Sequence, residues 1–81
     1  MVSQSINGNL KNTIADIIPH IVQTACNYKS SITFVVDNKN VNAKSIMGVM
    51  ALAGQDLSSI NICAEGADEL EALKAIAELL G

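Results

Sequence analysis

The sequence predicts an α+β fold, an open-faced two-layer sandwich in the order β-α-β-β-α-β-α, with three helices on one face of a four-stranded sheet. Three observations predict it. Alternating segments and segments of helical spacing succeed one another in that order along 81 residues. Each helical segment shows a single apolar stripe, as a helix does when it covers a sheet on one side only. The strand alternates Thr33, Asn61 and Cys63 are polar or small, which predicts that the other sheet face stays open.

Residues 3–10 alternate weakly, with Ile6, Gly8 and Leu10 on one side and Ser5, Asn7 and Asn9 on the other. They predict a poor first strand, because Gly8 has no side chain to pack. Residues 16–27 place Ile17, Ile18, Ile21, Val22 and Ala25 at helical spacing. Asp16 is the expected N-cap, which puts Pro19 in the first turn, where a missing N–H costs nothing. Residues 31–36, Ser-Ile-Thr-Phe-Val-Val, are β-branched and predict a strand. Asp37 and Asn38 both tolerate positive φ, so a tight turn is expected, followed by a returning strand from Lys39 to Ala43 with Val41 facing in.

Residues 45–52 predict a short helix with Ser45 as N-cap, weakened by Gly48 by about 1 kcal/mol relative to alanine. Residues 59–64 alternate cleanly, with Ile60, Ile62 and Ala64 on one face. A last helix over 69–80 carries Leu70, Leu73, Ile76, Ala77 and Leu80 as its stripe. Asp68, with Glu71 three residues on, is the expected capping-box start.

Composition excludes several classes. The chain is 49% apolar, too much for a disordered protein. Tyr28 and Phe34 are its only aromatics, so the core is expected to be aliphatic. Five lysines, no arginine and a net charge of −3 give no basic face for nucleic acid. No apolar run reaches the ~18 residues of a membrane helix. The first residues, Met1-Val2-Ser3-Gln4-Ser5, lack the basic and apolar parts of a secretory signal, so one cytoplasmic domain over 1–81 is expected. Cys26 and Cys63 are then expected as free thiols. His20, the sole histidine, has no cysteine at ligand spacing, so neither a metal nor a cofactor is expected.

One segment stands out chemically, Val41 to Met50. A serine at a helix N-cap accepts a backbone N–H, a role worth about 1 kcal/mol that by itself accounts for Ser45. A phosphate added there would meet unpaired N–H groups and a partial positive charge. Ile46 and Met47 lie about 100° apart on a helix, and Met50 lies above both, so the three cannot all point inward. An exposed Ile/Met patch beside a chargeable serine is a plausible docking surface. Lys44 stands next to it as a cation that could offset a phosphoserine.

Asn42-Ala43-Lys44-Ser45-Ile46-Met47-Gly48-Val49-Met50 resembles, nearly letter for letter, the regulatory-serine segment of the HPr-like family of the bacterial sugar phosphotransferase system, in both its histidine phosphocarriers and its catabolite-repression branch, Crh. Val22-Gln23-Thr24-Ala25 is similar to the family's first helix, and Val36-Asp37-Asn38-Lys39-Asn40-Val41 to its hairpin. Ala64 to Leu73 is similar to its last strand and helix entry. Together these cover roughly residues 10–80. The resemblance implies the fold already inferred, with a mainly antiparallel sheet.

It also implies a function. A bifunctional HPr kinase/phosphorylase would phosphorylate Ser45 with ATP or pyrophosphate. The product would dock on a LacI-type catabolite-control regulator through Ile46, Met47, Met50 and Lys44. Ser45 is then a substrate position, and the chain is not itself an enzyme.

The family's carrier site departs. It is a histidine followed by Ala-Arg-Pro, and this chain has Thr13-Ile14-Ala15-Asp16-Ile17 there. A phosphohistidine needs a nucleophilic imidazole and nearby donors or cations. Neither stands at the matching place, so loss of the carrier reaction is expected. The alternative function is a phosphocarrier in phosphoenolpyruvate-dependent transfer, with Asp16 forming an acyl phosphate. His20 is expected on the polar face with Gln23 and Asn27, as a solvated group. Glu65, Asp68, Glu69 and Glu71 suit a helix start. Gly48 and Gly54 form no phosphate-cradling motif.

Overall fold

The computed structural model describes residues 1–7, 11–36, 38–53 and 59–80. Its elements are β1 (Val2–Asn7), α1 (Lys11–Cys26), β2 (Ser31–Val36), β3 (Lys39–Asn42), α2 (Ile46–Ala53), β4 (Ser59–Glu65) and α3 (Glu69–Leu80). The predicted order and layering hold. The sheet runs β1-β4-β2-β3, and every neighbouring pair is antiparallel.

Period-two alternation decides the two faces. Ile32, Phe34, Val36, Ile60, Ile62 and Ala64 are buried under the helices. Thr33 pairs with Cys63, and Val35 with Asn61, on the open face. Ser5 donates to the Asn61 side chain across the β1–β4 pair. The core is aliphatic as expected, with Phe34 its one buried aromatic among the described residues. Cys26 and Cys63 are free thiols. No helix among the described residues is long and apolar enough to cross a membrane.

Four expectations need correction. The first strand is Val2–Asn7 rather than 3–10; Gly8 and Leu10 lie outside the described residues. The first helix begins at Lys11, not after an Asp16 cap. Its apolar stripe reaches back through Ile14, which is fully buried, to make the series 14, 18, 21, 25. A break remains close to the expected start. Ile17 has φ −122° and ψ 19°, which kinks the helix two residues before Pro19. Pro19 cannot donate to Ala15, and the kink is the local answer to that missing bond.

Leu70 is 69% exposed and does not belong to the stripe of α3; the described core of that helix is Ala72, Leu73, Ile76 and Leu80. The Asp68–Glu71 capping box does not form. Asp68 is the N-cap by its carbonyl, which accepts the Ala72 N–H at 2.9 Å. Its carboxylate turns instead to the α1–β2 loop. Glu69 is the residue that reaches back, accepting the Gly66 N–H at 3.2 Å while its other oxygen lies 3.0 Å from the N-terminal ammonium.

Candidate functional site

The chain enters α2 through two linked turns. Asn42 Oδ1 accepts the Lys44 N–H at 2.9 Å, and the Asn42 carbonyl accepts the Ser45 N–H at 3.0 Å. Asparagine makes such a turn because its short amide reaches its own backbone two residues on. Ser45 then caps the helix. Its carbonyl accepts the Val49 N–H at 3.0 Å, and its Oγ accepts the Gly48 N–H at 3.3 Å. The Ser45 side chain is half-buried, and Ala43 beneath the turn is buried outright. Sequence reasoning placed Ser45 correctly but missed Asn42, although an Asn two residues before Lys-Ser is a turn signal.

The other predicted site residues gather around Ser45. Val49 and Leu52 anchor α2 in the core, which leaves Ile46 50%, Met47 79% and Met50 55% exposed. All three point outward, on a helix without a charged residue. Lys44 is placed differently from a free countercharge. Its Nζ donates to the Tyr28 carbonyl at 2.8 Å, just beyond the end of α1. A cation there satisfies a carbonyl and suits the negative end of the helix dipole. The Lys44 side chain also borders a shallow groove of about 350 Å³ with Ser31, Thr33, Asn40 and Asn42, and no acidic side chain lines it.

The residues around the expected carrier position lie in the first half of α1. Ile14 is fully buried inside α1. Ala15 and Asp16 are exposed, ahead of the kink at Ile17. His20, Gln23 and Asn27 are all exposed, as the helical spacing predicts. No ion pair joins His20 to Asp16 among the described residues. The described residues hold no group of three or more His, Cys, Asp or Glu that could bind a metal.

A second cluster was not legible as such. Asp68 accepts the N–H groups of Lys29 and Ser30, each at 2.9 Å, and the Ser30 hydroxyl. The Ser30 hydroxyl, then the Lys29 N–H, hold its carboxyl down at about 2. The Gly66 N–H, then the N-terminal ammonium, hold the Glu69 carboxyl below its ordinary range. Asp68 and Glu69 thus both hold the fold together, while Glu65 and Glu71 of the same acidic run are exposed.

Comparison with known proteins points one way. A family model described as the PTS HPr component phosphorylation site matches residues 14–81. The phosphocarrier protein HPr of Treponema pallidum (strain Nichols) is 51% identical over 59 residues, covering 73% of this chain and 67% of the relative. The crystal structure of HPr from Bacillus anthracis str. Ames superposes with a TM-score of 0.86 at 41% identity, over 99% of this chain and 96% of that one. The solution structure of Crh, the Bacillus subtilis catabolite repression HPr, gives 0.68 at 38% identity, over 98% of this chain and 95% of that one.

Proposed function

The chain belongs to the HPr family, and from that membership we propose that it works as a regulatory binding module phosphorylated on Ser45 rather than as a phosphocarrier. One observation carries the reading. A half-buried serine hydroxyl sits at the start of α2, beside three exposed apolar side chains, while the carrier position holds a buried isoleucine. The Crh structure supports it as well, being that of a catabolite-repression HPr.

Phosphorylation is a group transfer from ATP by an HPr kinase. Ser45 Oγ attacks the γ-phosphorus, the bond to the bridging oxygen of the leaving ADP breaks, and the hydroxyl proton passes to a base on the kinase. The product adds about −1.5 to −2 charges. At that end of α2 the free N–H groups and the helix dipole favour the added charge. The net charge moves from −3 to about −5. The phosphorylated face then docks on a LacI-type catabolite-control regulator. Ile46, Met47 and Met50 supply the apolar contact, and Lys44 exchanges the Tyr28 carbonyl for the phosphate. The setting is the bacterial cytoplasm.

Incubation with an HPr kinase and ATP is expected to place one phosphate on the wild-type chain and none on Ser45→Ala. No incorporation into wild type, or undiminished incorporation into Ser45→Ala, overturns the proposal. The phosphocarrier alternative has the name of the Treponema pallidum relative in its favour. It predicts labelling from phosphoenolpyruvate through Enzyme I; the buried Ile14 offers no acceptor for it, which leaves the exposed Asp16 as the residue that would have to carry the label.

A further inference from the structure

Gly48 lies inside an eight-residue helix, where glycine costs about 1 kcal/mol relative to alanine. Its backbone does not require glycine, because positive φ falls on Gly66 among the described glycines and not on Gly48. Space is the remaining reason. A Cβ on Gly48 would lie 3.1 Å from Val41 Cγ1 and 3.5 Å from Ser45 Oγ. The first neighbour is a side-chain methyl that need give only a few tenths of an ångström. The second is the hydroxyl that Gly48 itself serves as N–H donor, at 3.3 Å. One residue thus gives Ser45 Oγ its donor and leaves the flank of that oxygen bare.

We propose that Gly48 is a positioning residue for phosphoryl transfer to Ser45, its missing side chain being the room in which the phosphoryl group settles over the first turn of α2. This rests on the reading of Ser45 as acceptor. A hydroxyl tolerates a methyl in ordinary contact with it. A phosphoryl group projects beyond Oγ with three further oxygens, and a methyl already touching Oγ closes part of the arc they need. The bond made and the bond broken are those of the transfer from ATP already described; Gly48 changes only the space in which they form.

Packing against Val41 is the competing explanation, and a double variant separates the two. Wild type, Ser45→Ala, Val41→Ala, Gly48→Ala and Val41→Ala/Gly48→Ala are compared as substrates of an HPr kinase with ATP, with their folding followed by circular dichroism. Gly48→Ala is expected to lower kcat/KM on the order of tenfold. The loss should fall on kcat rather than KM, since the exposed face of Ile46, Met47 and Met50 is untouched. Val41→Ala is expected to remain a substrate of wild-type quality. The double variant relieves the 3.1 Å contact, and so keeps the test valid even if Gly48→Ala folds poorly, but it should stay slow. Wild-type kinetics in Gly48→Ala, or recovery in the double variant, overturns the proposal and leaves Ser45 as acceptor. No phosphate on the wild-type chain overturns both.

Discussion

The Asp68 carboxylate accepts the backbone N–H of Ser30 at 2.9 Å, joining two loops 38 residues apart in the chain. Ser30 is 1% exposed, the one buried polar residue among those described. Its N–H and hydroxyl both find the same carboxylate, which also takes the Lys29 N–H. The clasp fixes the end of α1 against the start of α3, and it makes stability depend on the charge of Asp68.

The sign of that dependence follows from the lowered pKa, about 2 against an ordinary 3.8. An ionised Asp68 stabilises the folded state above about 3.8, and the contribution is lost as pH falls through about 2. Wild type should therefore lose Tm steadily as the pH is lowered across that interval. Asp68→Asn should start lower at pH 7 and show a flatter profile there. Parallel melting curves for the two proteins would reveal a mistaken assignment as equal slopes. Glu69, also held low, contributes in the same direction, so the slope of the variant should be reduced rather than zero.

Gly66 tests the same junction sterically. Its φ of +150° lies where L side chains rarely go, and a Cβ there would come within 2.6 Å of Ser30 Oγ and 2.7 Å of Ser30 Cα. Backbone cannot yield as a flexible side chain can. Gly66→Ala should cost about 2–3 kcal/mol, measured by urea unfolding at neutral pH. A loss under about 0.5 kcal/mol, the usual range of a surface substitution, would show that the two loops are not held together as described.

Strands and helix stripes were legible because burial repeats along them. Ile60, Ile62 and Ala64 alternate into the core, and Ile21 and Ala25 recur at helical spacing. What failed was local or distant in sequence. The start of α1 was set too late because Asp16 offered an N-cap that left Pro19 harmless in the first turn, whereas the helix begins at Lys11 and kinks at Ile17. Leu70 looked like part of a stripe, but it stands in the first turn, beyond the edge of what α3 covers. The Asp68–Ser30 clasp has no periodicity and could not be found by spacing. Ser45 and its exposed apolar neighbours were legible, since a short helix cannot bury Ile46, Met47 and Met50 together.

Ser45 has a structural task that is separable from any chemistry on it. Its Oγ accepts the Gly48 N–H in the first turn of α2. Ser45→Ala removes that acceptor and should cost about 1 kcal/mol. Ser45→Asp keeps an acceptor and adds a charge that the helix dipole favours, so it should be within about 0.5 kcal/mol of wild type or slightly more stable. Chemical denaturation of the three proteins checks the order. A Ser45→Ala variant as stable as wild type would mean that the cap contributes nothing, and equal destabilisation by Ala and Asp that aspartate does not replace it.

Restoring the family's nucleophile by a single substitution should not restore carrier chemistry. Ile14 is fully buried within α1 and packs in the common core with Ile21 and Ala25. An imidazole in that place loses the aliphatic packing and buries a polar ring without a designed partner, at a cost of about 2–4 kcal/mol. It would also be shut away from a phosphoryl donor. Asp16, next in line where the family carries arginine, is exposed and negatively charged, so it repels the phosphoryl oxygens instead of holding them. Ile14→His should therefore unfold at lower denaturant than wild type and take no label from phosphoenolpyruvate in the presence of Enzyme I. Acid-labile phosphate on position 14 of that variant would overturn this and show that the helix opens to present the side chain.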